Sequence, residues 1–216
     1  MTTTNNKASF KTSIKAESES LAPFAEVVES SLEMMTAQSW QWDVFPRFGS
    51  LMHIPGEQII LGVVTHISTG SMDPMRYPFP YQKTESELMA EQPQIFEFLK
   101  TTFKIQVVGF ADTATQKIYY MVPSKPAKIH SFVQQAPAPL VKQFFSRPDF
   151  THLLFAFQNQ LPNIDELLLV ILKELGDHKL LTPSFLDEFY QTLSLLSGND
   201  YRRLKLFLKR IEQTLL

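Results

Sequence analysis

Apolar and polar positions change rhythm several times along this chain. "FGSLMHI" (48–54) and "QIILGVVTHIS" (58–68) are short runs rich in apolar and β-branched residues, and Pro55-Gly56 between them is a strong turn signal. Gly49 and Gly62 interrupt the runs where a strand accepts glycine mainly at a bend or a close approach. Sharp bends are what a small closed barrel requires. Downstream, "KIQVVGFA" (104–111) and "KIYYMVP" (117–123) bracket the polar "DTATQ", which predicts a second hairpin. Residues 24–43 read two ways. Phe24, Val27, Val28, Leu32 and Met35 fit a helix face, whereas Leu32, Met34, Trp40 and Trp42 fit strand alternation. The strand reading is preferred because the segments that follow need partners, and it brings the count to about six strands, enough for a compact barrel.

Between the hairpins lies an insertion, residues 69–103. Its first part holds Pro74, Pro78 and Pro80, which favour extended or turn conformations. Its second part predicts helix: Thr84 with Glu87 makes a capping-box pattern, and Pro93 opens a short helix containing Ile95, Phe96 and Leu99. "QQAPAP" has the composition of a linker, assigned to residues 124–138. Beyond it, Pro139, Pro148, Pro162 and Pro183 each precede a run of helical period. Asn163 with Glu166, and Thr182, add N-cap signals, while Gly198 ends one helix and Asn199 can cap the next. The fold class expected is β plus α: an N-terminal closed β-barrel over 24–123, then an all-α bundle of about five short helices over 139–216.

Composition sets the boundaries of function. The chain has 216 residues, 44% of them hydrophobic, and a formal net charge of -2, which suits a globular protein with no general attraction to polyanions. Ten of the first twenty residues are Ser, Thr or Asn with nothing periodic to bury, so residues 1–23 are expected to form a flexible tail. That tail lacks the apolar core of a signal peptide, and no apolar run reaches the ~18 residues of a membrane span. With no cysteine, neither disulfides nor thiolate chemistry is available. A cytoplasmic protein that does not engage membrane is the expectation.

Catalytic constellations are missing from the pattern. His53, His66, His130, His152 and His178 do not share metal-ligand spacing; the adjacent Asp177-His178 follows Gly176 at a helix end, where a histidine meets the helix dipole favourably. Ser50 follows Gly49, but "FGSLM" lacks the second glycine of a nucleophile elbow. No glycine-rich phosphate loop with Lys-Ser/Thr occurs. Asp165, Glu166, Asp187 and Glu188 fall at helix starts, positions explained by the dipole alone. No cofactor, metal or catalytic residue is therefore expected, and the chain is read as not an enzyme.

Two surfaces stand out instead. "STGSMDPMRYPFPYQ" (68–82) alternates prolines with Tyr77, Phe79 and Tyr81, while Asp73 before Pro74 suits a turn that Arg76 could close. Those aromatics either fold back over the barrel's open edge or form a docking strap, since aromatics and Arg are the usual interface anchors. The last helix, "YRRLKLFLKRIEQTLL", opposes Arg202, Arg203, Lys205, Lys209 and Arg210 to an apolar face of Leu204, Phe207, Leu208, Ile211 and Leu215. Such a stripe can contact phosphates. However, residues 139–216 hold nine basic and nine acidic residues, and a solvated face is the commoner explanation.

"GSLMHI…ILGVVTHIS", "STGSMDPMRYP" and "EQPQIFEFLKTTFKIQVVGF" together resemble bacterial proteins that carry a HAS-barrel, the barrel named for HerA-type ATPases and ATP synthase. The resemblance spans about residues 25–123 and is firmest at Gly62-Val63-Val64, at Ser71, Asp73, Pro74, Arg76 and Pro78, and at Gln92-Pro93-Gln94. It implies assembly and docking, because in those ATPases the barrel helps to build the ring and contacts partners. No ATPase core follows here, so neither ring formation nor ATP binding is carried over.

The expected function is a non-catalytic docking or assembly module. Asp73, Arg76, Tyr77, Phe79 and Tyr81 would bind a protein partner, either a HerA-type or related ATPase assembly or a second copy of the chain. The alternative is a nucleic-acid-associated accessory protein using Arg202, Arg203, Lys205, Lys209 and Arg210. A third reading is an enzyme with a site in the cleft between barrel and bundle.

Overall fold

The computed structural model describes residues 22–73, 75, 78–115, 117–198 and 200–215. The N-terminal half is a closed antiparallel barrel. Residues 24–43 resolve as strands: β1 (Ala25–Ser30) and β2 (Met34–Ser39) form a hairpin. β3 (Leu51–Ile54) turns through Pro55-Gly56 into β4 (Gln58–Ser71), and β5 (Leu99–Asp112) returns along the full length of β4. β6 (Ile118–Tyr119) adds briefly to the far end of β5, and β7 (Phe132–Gln135) inserts between β1 and β3. Pairing of β2 with β5, from Met34↔Gln106 to Gln38↔Thr102, shuts the ring.

The barrel has six strands, but not the six that the hydrophobic runs suggest. "KIYYMVP" yields only the two-residue β6, which lies outside the ring. The sixth staves position is taken by β7, inside the stretch whose composition reads as a linker. Four residues suffice there because Val133 alone supplies the buried side chain, while the backbone pairs on both sides. The insertion also narrows: Thr69–Ser71 and Leu99–Phe103 belong to β4 and β5, so Leu99 is a strand residue and not part of a helix.

Register shifts in the β4–β5 ladder at Leu61/Gly62 and Val64/His66 bend the long hairpin, as bulges do, and let a flat ribbon curl into a closed ring. Gly62 is required at the bend. A Cβ there would lie 2.4 Å from Ile105 Cγ2 and 2.8 Å from the Gln106 carbonyl oxygen.

Strand alternation divides the apolar residues between two cores. Met52, Val64, Val107 and Val133 join Val27, Met35, Phe103 and Ile105 inside the barrel. Their sequence neighbours Leu51, Val63 and Val108 face the opposite way, into a second cluster shared with the helices. Strands buried on both faces read as continuous apolar runs, which is why this part of the sequence shows so little alternation.

The described chain after β7 is helical. α3 (Ala138–Phe144), α4 (Phe150–Ala156), α5 (Ile164–Asp177), α6 (Pro183–Leu196) and α7 (Tyr201–Leu215) follow in order, with a 3₁₀ turn at Gln158–Gln160. α4 lies on β5 and α6, and α7 lies on α5. The caps follow the sequence signals. Asn163 Oδ1 accepts from the Asp165 and Glu166 amides, and Thr182 Oγ1 accepts from the Phe185 amide. Gly198 leaves α6 with φ of 59°, in the left-handed region that favours glycine. Asn199, the expected cap of the last helix, lies outside the described residues; Asp200 Oδ1 accepts from the Arg203 amide at 3.0 Å and serves as a cap there. Tyr120 pins the segment after β6 to the helices by donating to the Phe144 carbonyl at 2.6 Å, and burial pushes its hydroxyl pKa up to about 12.

Candidate functional site

The β4–β5 hairpin carries its insertion, residues 72–98, at the end away from Pro55-Gly56. Two short helices form in it, α1 (Glu85–Glu91) and α2 (Gln94–Glu97). The capping box at Thr84 is complete: Thr84 Oγ1 accepts from the Glu87 amide at 3.3 Å, and Glu87 Oε2 accepts from the Thr84 amide at 2.7 Å. The Thr84 amide first, and the Thr84 hydroxyl donating to Glu87 Oε2 at 2.8 Å, hold the Glu87 carboxyl below its ordinary pKa. Lys83 pairs with Glu91 across the helix. No residue of either helix is buried, and none of the described residues of the insertion belongs to the two cores.

Its attachment is local. The Met72 amide donates to the Phe98 carbonyl at 2.7 Å, closing the base of the loop. Phe96 stacks on Trp42, from the segment after β2, with ring centroids 5.4 Å apart. Trp42 is in turn held to the hairpin, its carbonyl accepting from Thr101 Oγ1.

Of the five residues expected to bind a partner, Arg76 and Tyr77 lie outside the described residues. Asp73 makes the expected turn, Oδ1 accepting from the Met75 amide at 2.9 Å, while its own amide donates to Ser71 Oγ. Phe79 and Tyr81 meet edge to face at 5.6 Å. Phe79 is 69% exposed and Tyr81 37%, so Phe79 presents most of its ring to solvent while Tyr81 is more than half covered. Met72, Met75, Met89 and Phe98 are exposed on the same insertion, Met75 almost completely. Met72 and Met75 stood in the segment singled out by the sequence. Met89 and Phe98 lie outside that segment, on and just after the two short helices.

The basic residues of α7 divide into two sets. Arg203 clasps Asp165 with two hydrogen bonds, and Arg210 pairs with Glu166 at 2.7 Å. Both acids lie in the first turn of α5, where they also favour the helix dipole. The bond to Asp165 raises the Arg203 pKa further. Arg202, Lys205 and Lys209 point outward beside the exposed Tyr201 and Leu206. Sequence spacing alone could not reveal this, because Asp165 and Arg203 are 38 positions apart.

Among the described residues no group of three or more His, Asp or Glu could hold a metal ion, and no helix is long and apolar enough to cross a membrane. A cavity between barrel and helices, lined by Leu51, Phe145, Ile171 and His178, measures about 20 Å³, room for a single water. His53 is mostly buried on β3, and desolvation lowers its pKa. No protein-family model matches the chain, and no curated protein matches it.

Proposed function

We propose that the protein is a non-catalytic docking or assembly module that binds a protein partner through the β4–β5 insertion. The observation carrying this reading is the exposure of Met75 and Phe79, with Met72, Met89 and Phe98, on an insertion that buries none of its helical residues. Clustered exposed apolar side chains mark interaction surfaces far more often than scattered ones do. Aromatic and methionine side chains are also the types enriched at interfaces. The HAS-barrel resemblance makes a HerA-type or related ATPase assembly the first partner to try, in the cytoplasm, with a second copy of the chain as the other choice. In finer detail, the helices after β7 would form a bundle that braces the barrel and leaves the insertion free to dock.

Tagged protein captured from its native cell, with mass spectrometry of what it retains, tests the proposal when run beside Phe79→Ala/Tyr81→Ala. The expected result is loss of one specific partner, at about 2 kcal/mol or more of binding free energy, with an unchanged melting temperature. Equal capture by the folded double variant overturns it.

The exposed Arg202, Lys205 and Lys209 support a second reading, contact with nucleic acid through α7. It ranks lower because Arg203 and Arg210 are already engaged with carboxylates.

A further inference from the structure

At the end of the barrel opposite the insertion, a cleft of about 390 Å³ opens between the β3–β4 turn and residues 124–131. That volume lies in the range of small-molecule sites, and barrel mouths are among the places where such sites occur. Its floor is the barrel interior itself. Ile54, Ile60 and Ala127 line the cleft and also belong to the inner core, so an occupant would extend that core outward. Glu57, Lys125 and Lys128 are the charged residues of the lining, two cations against one anion. Ser124 and Ser131 add hydroxyls, and Gly56 leaves backbone accessible in the turn.

The two walls are preformed. On one side, the Val27 amide donates to the Ser131 carbonyl at 3.0 Å and the His130 amide to the Val27 carbonyl at 2.9 Å, which fixes the 124–131 loop to β1. On the other, the Glu57 carbonyl accepts from Thr113 Oγ1. Lys125 Nζ reaches across the mouth to Glu57 Oε2 at 3.1 Å. Lys125 first, and Lys128 by its charge, hold the Glu57 carboxyl below its ordinary pKa. Two lysines at the mouth favour a carboxylate there, and the Glu57 side chain lies beside Lys125.

We propose that this cleft binds a small apolar monocarboxylate, its carboxylate replacing Glu57 on Lys125 in the field of Lys128 and its hydrocarbon body lying over Ile54, Ile60 and Ala127. The apolar floor excludes a fully hydrated anion as the best ligand, and the paired cations exclude a neutral one. This site is independent of the docking surface, which lies at the other end of the β4–β5 hairpin.

Octanoate is the probe, titrated calorimetrically into the full chain, with acetate and octanol as controls. Saturable binding of one octanoate is expected, with neither acetate nor octanol binding as tightly. Lys125→Gln/Lys128→Gln should weaken octanoate by about tenfold or more, the loss of a charge-assisted contact. Glu57→Gln should tighten it by about twofold to fivefold, since it removes the competing carboxylate; a gain cannot come from misfolding. Absence of saturable octanoate binding, equal binding by the double lysine variant, or octanol binding as well as octanoate would each overturn the proposal.

Discussion

Arg203 and Asp165 form a fork-to-fork pair, Nε to Oδ2 at 3.1 Å and Nη2 to Oδ1 at 2.7 Å, joining the start of α7 to the start of α5. Bidentate geometry sets this pair apart from an ordinary surface ion pair, although both side chains keep partial access to water. A double-mutant cycle with Arg203→Gln and Asp165→Asn should give a coupling energy of about 0.5–1 kcal/mol at low salt, falling as salt is added. A coupling of zero would mean that α7 is positioned by its apolar face alone.

Phe150 tests whether the barrel and the helices melt together. It is fully buried, packs against Phe144 and Phe145, and belongs to the same cluster as Leu51, Val63 and Val108 of the barrel. Phe150→Ala should destabilise by about 3–5 kcal/mol. Because the core is shared, unfolding followed by far-ultraviolet dichroism and by barrel-specific amide exchange should remain one coincident transition. Two separated transitions would instead mark barrel and helices as independent units.

Much of this fold was legible in the sequence because local signals and global packing agree. The Pro55-Gly56 turn, the Thr84 box and the caps at Asn163 and Thr182 are each local, and each stands in the structure. β7 was not legible: four residues, two of them Gln, lying just before a proline-rich stretch, gain strand geometry only from β1 and β3, which are distant in sequence. The candidate surface was legible in part for the same reason. Proline spacing announced the turn at Asp73, but the exposure of Met89 and Phe98 depends on where the insertion stands relative to the barrel. The splitting of the α7 stripe depends on α5 and could not be read from α7 at all.

Asp112 supplies a pH prediction. Its Oδ1 accepts from the Thr115 amide at 2.7 Å, from Thr115 Oγ1 at 2.9 Å and from the Ala114 amide at 3.0 Å, organising the β5–β6 turn. These bonds, the Thr115 amide first, favour the ionised carboxyl and lower its pKa in the folded chain. A lowered folded pKa means that the stabilisation is fully present above the unfolded value and disappears as pH falls through the folded one. Melting temperatures between pH 6 and pH 2 should therefore fall more for the wild type than for Asp112→Asn, with the divergence confined to below about pH 4. Parallel curves would show that the turn does not depend on the charge.

Salt dependence separates the two readings of α7. Each phosphate neutralised by a cation releases counterions, so the logarithm of affinity falls with the logarithm of salt at a slope of about -0.9 per contact on duplex DNA. If Arg203 and Arg210 stay with Asp165 and Glu166, only Arg202, Lys205 and Lys209 remain on this helix for phosphates. Three contacts give a slope near -2.7, too shallow for tight binding at physiological salt, whereas the whole stripe would give about -4.5. Fluorescence anisotropy of a labelled duplex across a salt series should therefore show weak binding at most, with the shallower slope. Replacing Arg202, Lys205 and Lys209 with Gln should abolish whatever binding exists. Submicromolar binding at physiological salt with the steeper slope would mean that Arg203 and Arg210 leave their carboxylates for phosphate. Nucleic-acid contact would then displace protein docking as the function this structure supports best.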